Sequence, residues 1–113
     1  MTSNPEHALV VYGSLKPGEA NHHLVADIRG EWIAGTVVGE MGKWGPYLRF
    51  APKQDGEVVQ VQVLCSDDLP NHWQRLDEFE GEAYERVICE VETALGKLLG
   101  YIYAHPSGGN SQR

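Results

Sequence analysis

The chain is short of the features that would tie it to a membrane, to nucleic acid or to an oxidising compartment. None of its apolar runs approaches the roughly 20 residues of a membrane span. The N-terminal MTSNPEHA lacks the basic-then-apolar order of a secretory signal. Two cysteines, Cys65 and Cys89, are too few for a disulfide framework; each stands among strand-like residues and reads as a buried free thiol. Lys and Arg together number 9 against 16 Asp and Glu, giving a net charge of −7. The basic residues are also scattered, which speaks against a phosphate-tracking surface. Five histidines offer no metal-ligand spacing, because His22 and His23 are adjacent and His7, His72 and His105 stand apart, with no CxxC or HxxxH. The expectation is a cytoplasmic protein with no metal, no nucleic-acid partner and no membrane; the sequence leaves the oligomeric state open.

What is present is one domain's worth of chain, expected to span residues 1–105, with PSGGNSQR (106–113) as a flexible tail. There is no internal repeat. Strand signals dominate. Ala8 to Tyr12 is a short apolar run. Trp32 to Met41 is β-rich but interrupted by Gly35 and Gly39, which suggests a bent or closely approached strand. Tyr47 to Phe50 is a weaker candidate. Val59 to Val63 alternates with period two, as does Tyr84 to Thr93, with Val87, Cys89 and Val91 on one face. Leu98 to Ala104 closes the series, and Asp55-Gly56 marks a turn.

Two short helices are expected. Asn21 to Ile28 carries Leu24, Val25 and Ile28 at helical spacing. The second is capped by Ser66 or Asp67, sets Leu69, Trp73, Leu76 and Phe79 on one stripe, and stops at Gly81. The sum is an α+β fold: a small mixed, mostly antiparallel β-barrel with two short helices.

Two segments carry chemistry. In LVVYGSLKPGEAN (9–21) an apolar run ends abruptly at a Gly- and Pro-containing loop, either a plain turn or a loop whose main-chain N–H groups hold a ligand. In LDEFEGEAYERV (76–87) several carboxylates crowd a helix C-terminus, where the macrodipole is already negative. That field, the neighbouring charges and partial burial beside Phe79 would all raise a carboxyl pKa. A raised carboxyl suits general acid–base work near neutrality, but spacing does not choose between Glu80, Glu82 and Asp77.

Together, VYGSLKPGEANH and LDEFEGEAYERV resemble the γ-glutamylcyclotransferase-like family, specifically its AIG2-like and γ-glutamylamine cyclotransferase branch, with order and separation agreeing over nearly the whole chain. The resemblance implies a small barrel flanked by short helices. It implies main-chain substrate binding by the loop Tyr12, Gly13, Ser14 and Leu15, and Glu80 as the catalytic acid–base. Tyr84, in the family-like pattern Tyr-x-Arg, is expected to line the pocket, while Arg86 would pair with Glu90 or a neighbouring carboxylate. One of Tyr101 and Tyr103 could reach the pocket, though core packing is the simpler expectation.

The implied reaction turns a small-molecule γ-glutamyl amide or peptide into 5-oxoproline and a free amine or amino acid. Nucleophile and electrophile share one molecule, so no cofactor is implied. The middle of the chain departs from the family pattern: GKWGPYLRFAP and VVQVQVL, with Gln60 and Gln62, stand where other residues are usual, leaving the departing group open. A non-catalytic binding module of the same fold, or a γ-glutamyl hydrolase, are the competing readings.

Overall fold

A short strand with every residue buried, β1 (Ala8–Val11), sits at the centre of the molecule. The computed structural model describes residues 4–12, 18, 22–44, 47–81 and 84–104. The remaining strands are β2 (Glu31–Trp44), β3 (Tyr47–Pro52), β4 (Glu57–Cys65), β5 (Glu85–Thr93) and β6 (Gly96–Ala104). Their order is β3-β2-β4-β1-β6-β5, and β2 also pairs with β5. That last pairing closes β2, β4, β1, β6 and β5 into a five-stranded barrel, with β3 outside the ring as a hairpin partner of β2. All pairings are antiparallel except β1 with β6, so the barrel is mixed, as expected.

Closure depends on β2, whose 14 residues pair with three strands in turn. Where β5 meets it, a Cβ on Gly35 would stand 2.7 Å from Val91 Cγ1 and 2.9 Å from the Glu92 carbonyl oxygen. Gly39 is likewise covered by the Phe50 ring. These are the close approaches that the two strand glycines foreshadow.

The unbroken apolar run of β1 follows from its having both faces covered. Ala8 and Val10 face the barrel interior with Val37, Phe50, Val61, Val63, Val91 and Ile102. Leu9 and Val11 face outward into a second cluster with Val25, Ile28, Leu64, Leu69, Trp73, Leu76 and Tyr103. Full burial of each Leu in this cluster contributes about 1.5–3 kcal/mol.

That second cluster is roofed by the single α-helix among the described residues, α1 (Trp73–Glu80), and by short 3₁₀ turns. The segment at Asn21 to Ile28 is not an α-helix: within it His22–Leu24 forms a 3₁₀ turn, with Val25 N–H donating to the His22 carbonyl and Ile28 N–H to that of Val25. Spacing of three satisfies a 3₁₀ repeat as well as an α-helix, and Val25 and Ile28 are buried either way. The second helix is shorter than its apolar stripe implied. Leu69–Asn71 is a 3₁₀ turn preceding α1, and the Ser66 hydroxyl accepts from Asp68 N–H at 3.0 Å. Phe79 is 44% exposed, and the helix ends one residue later.

Both cysteines are free and half-buried, short of the full burial expected of them. Burial still pushes the Cys89 thiol up to about 12. Among the described residues no helix is long and apolar enough to cross a membrane.

Candidate active site

Helix α1 stops where Gly81 takes φ +80°, a conformation that favours glycine, and the Gly81 N–H donates to the Asp77 carbonyl at 3.0 Å. The stop leaves Asp77 and Glu80 one turn apart on one helix face. The chain then returns as β5, which lays Arg86 opposite Tyr103 of β6. Tyr101 and Tyr103 alternate with Ile102, so both phenols face α1 while Ile102 enters the barrel. Asp77, Gly81, Tyr84, Arg86, Tyr101 and Tyr103 line an open cleft of about 380 Å³.

Asp77 is the hub of this wall. Arg86 Nε donates to its Oδ1 at 2.9 Å and Arg86 Nη2 to its Oδ2 at 3.3 Å, a forked pair. The Tyr103 hydroxyl donates to the same Oδ1 at 2.6 Å. The Arg86 guanidinium lies 4.5 Å from the ring centroids of both Trp73 and Tyr101, which themselves meet edge to face at 5.3 Å. Trp73 is itself fixed by donating its indole N–H to the Glu6 carbonyl at 3.0 Å. Arg86 therefore pairs with Asp77 and not with Glu90, which instead lies 3.9 Å from Lys97 Nζ.

Glu80 has a different environment. Burial pushes its carboxyl up to about 7. Of the three causes invoked from sequence, burial is the one the folded geometry gives for the shift. Its charge is felt at two phenols, Tyr12 and Tyr103, both held above the usual tyrosine value chiefly by burial. Tyr12 directly follows β1, stacks at 5.7 Å on Phe50, and donates its hydroxyl to the Tyr103 carbonyl at 2.6 Å. Tyr84 also raises the Tyr12 phenol.

Tyr12 is thus within electrostatic reach of both Glu80 and Tyr84, and of these three residues singled out from sequence Tyr84 lines the cleft. Gly13, Ser14, Leu15 and Glu82 lie outside the described residues. Gln60 and Gln62 are on β4, and neither lines the cleft. Sequence reasoning underweighted Asp77 as a partner for Arg86, and Tyr101 and Tyr103 as lining groups. The signal available was the period-two placement of the two tyrosines on the terminal strand.

A profile of the gamma-glutamyl cyclotransferase, AIG2-like family matches residues 9–113. YkqA of Bacillus subtilis, a provisionally assigned gamma-glutamylcyclotransferase, is 32% identical over 97 residues, covering 84% of this chain and 34% of YkqA. The chain therefore spans about a third of that relative's length. Its crystal structure superposes with a TM-score of 0.70 at 28% identity, over 92% of this chain and 36% of YkqA. A solution structure from Arabidopsis thaliana gives a TM-score of 0.70 at 25% identity, over 92% of this chain and 71% of that one. A mouse AIG2-like protein shares the fold at a TM-score of 0.66, with 18% identity over 87% of this chain and 76% of that one.

Proposed function

The chain belongs to the gamma-glutamyl cyclotransferase, AIG2-like family, and from that premise we propose that it converts a γ-glutamyl amide or peptide into 5-oxoproline and a free amine or amino acid, with Glu80 as general base and then general acid. The observation that carries this reading is the partly buried Glu80 carboxyl, pushed up to about 7 directly before Gly81, which lines the open cleft. A group titrating near neutrality takes and returns a proton with least cost in either direction.

The steps balance within one substrate. Glu80 takes a proton from the substrate's α-ammonium, and the freed amine attacks the γ-carbonyl carbon. The new C–N bond closes a five-membered ring. Collapse of the tetrahedral intermediate breaks the original amide C–N bond, Glu80 returns its proton to the departing nitrogen, and the ring nitrogen gives up its remaining extra proton to the released amine, which leaves as an ammonium. The reaction consumes no water. Holding the reacting atoms together within one curled molecule supplies most of the acceleration.

The glutamyl head is assigned to the main-chain N–H groups of Gly13, Ser14 and Leu15, which follow Tyr12 in the chain and suit a carboxylate or a developing oxyanion. Tyr12 and Tyr84 bound the reacting end. The departing group extends along the cleft wall formed by Tyr101 and the Arg86–Asp77 pair.

The test is mass spectrometry of a panel of γ-glutamyl amines and γ-glutamyl amino acids incubated with the protein and with Glu80→Gln. Wild type should form 5-oxoproline, and Glu80→Gln should lose about 10²–10⁴-fold in rate while retaining its fold and substrate binding. Release of glutamate in place of 5-oxoproline would make the protein a hydrolase. Binding without turnover would make it a binding module.

A further inference from the structure

The outer face of the β5–β6 hairpin continues past the cleft. On β5, Val87, Cys89 and Val91 turn into the barrel, so Arg86, Ile88 and Glu90 turn outward. On β6, Leu98 and Ile102 turn inward, so Leu99, Tyr101 and Tyr103 turn outward. The register sets Arg86 opposite Tyr103, Ile88 opposite Tyr101 and Glu90 opposite Leu99. Arg86, Tyr101 and Tyr103 line the cleft. Ile88 is the next outward residue after Arg86, about 7 Å farther along the strand. Side chains directly opposite one another in such a pair stand about 5 Å apart, so Ile88 flanks Tyr101 at the rim of the cleft.

Ile88 is 53% exposed, and Leu99, diagonal to it across the hairpin, is 38% exposed. A lone exposed apolar residue is ordinary on a protein surface. Two that adjoin each other and the aromatic wall of a cleft make a strip that the end of a ligand can cover. The charges at both ends of the strip are paired. Arg86, the cation among the described lining residues, is forked onto Asp77 at 2.9 and 3.3 Å. At the far end Glu90 lies 3.9 Å from Lys97 Nζ.

We infer that Ile88 and Leu99 form a subsite for the departing group, and that the protein selects γ-glutamyl amides whose departing amine carries an uncharged apolar tail, alkyl or aromatic, long enough to pass Tyr101. This deepens the cyclotransferase reading and rests on it. The glutamyl head is common to all γ-glutamyl compounds, so discrimination falls to the departing end. Each methylene laid on the strip leaves water in the ground state and the transition state alike, so the preference is carried by KM more than by kcat.

The experiment compares γ-glutamylethylamine, γ-glutamylhexylamine and mono-γ-glutamylcadaverine, whose chain matches hexyl in length but ends in an ammonium. In the wild type, kcat/KM for 5-oxoproline formation should rise about tenfold from ethyl to hexyl, mostly through KM, and fall back about tenfold for the cadaverine compound. Ile88 is half exposed, so Ile88→Ser spares the core, and it should shrink the hexyl-to-ethyl ratio to about threefold or less. Leu99→Gln, the second variant, should shrink it in the same direction. A wild-type ratio near one, a preference for the cadaverine compound, or a ratio that survives both substitutions would overturn the inference.

The same ratios are read without turnover as Kd values, by calorimetry on Glu80→Gln with and without Ile88→Ser. Hexyl should bind about tenfold tighter than ethyl, and adding Ile88→Ser should remove most of that gain; equal Kd values would overturn the subsite. A protein that formed no 5-oxoproline from any of the three would refute the functional reading, and the Kd ratios would still decide whether the strip takes an apolar tail.

Discussion

Asp77 and Glu80 are carboxylates one helical turn apart on α1, and their surroundings could hardly differ more. On the Asp77 side, a forked guanidinium and a phenol satisfy the carboxylate, and two aromatic rings hold the guanidinium in place. On the Glu80 side, burial pushes the carboxyl up to about 7. Similar side chains at similar positions thus serve opposite ends: one anchors the wall of the cleft, the other is left able to exchange a proton. Environment assigns the roles, as it does wherever paired carboxyl groups divide acid–base work.

The largest way to break the contrast is to empty the Asp77 side. Arg86→Ala removes the cation from Asp77 and from its contacts with the Trp73 and Tyr101 rings, and should cost about 2–4 kcal/mol in urea unfolding. Arg86→Lys should recover only part of this, because an ammonium does not fork onto a carboxylate and is a poorer partner for an aromatic ring. A loss below about 0.5 kcal/mol would reduce the pair to an ordinary surface bridge.

A smaller effect, with a definite pH signature, belongs to Glu80. Its folded-state pKa of about 7 lies above the ordinary 4.5, so the folded chain holds this proton more tightly than the unfolded chain does. The stability that the group contributes is full below its unfolded pKa and is lost as pH rises through about 7. Glu80→Gln should therefore be more stable than wild type near pH 8, by on the order of 2 kcal/mol, with the advantage vanishing near pH 4. Thermal melts at the two pH values would show it, and an offset independent of pH would contradict it. Least affected should be Glu78→Gln. Glu78 is exposed on the same helix, and its loss should change stability by less than about 0.5 kcal/mol and leave 5-oxoproline formation unchanged.

The sequence carried the strands well, because period-two alternation survives in the parts that matter. Val59 to Val63 lies inside the longer β4, and Gly35 and Gly39 mark where β5 and Phe50 press on β2. The stop at Gly81 was equally plain. The α-helix expected over Asn21 to Ile28 was a misreading for the described residues, because Val25 and Ile28 three residues apart fit two successive 3₁₀ bonds as well as an α-helical turn. Phe79 misled for a related reason: periodicity continued one turn past the surface that could cover it.

In the candidate site, the local segments left Glu80, Glu82 and Asp77 open, and it was the family resemblance that singled out Tyr12, Glu80 and Tyr84. The Asp77–Arg86–Tyr103 network was hidden, because it depends on the register that sets Arg86 opposite Tyr103 and on the way α1 packs across both. Those are long-range facts with no local signature. The cause of the Glu80 shift was hidden too, since helix dipole, neighbouring charge and burial predict the same sign and differ only in the folded geometry.

The most direct test of the central claim is the pH dependence of kcat/KM for 5-oxoproline formation from the best γ-glutamyl substrate. With Glu80 as the base that accepts the ammonium proton, the rate should rise tenfold per pH unit on the acid side, bend near pH 7 and then level off. A profile flat from about pH 5.5 to 8.5, or one whose acid limb survives unchanged in Glu80→Gln, would contradict the account.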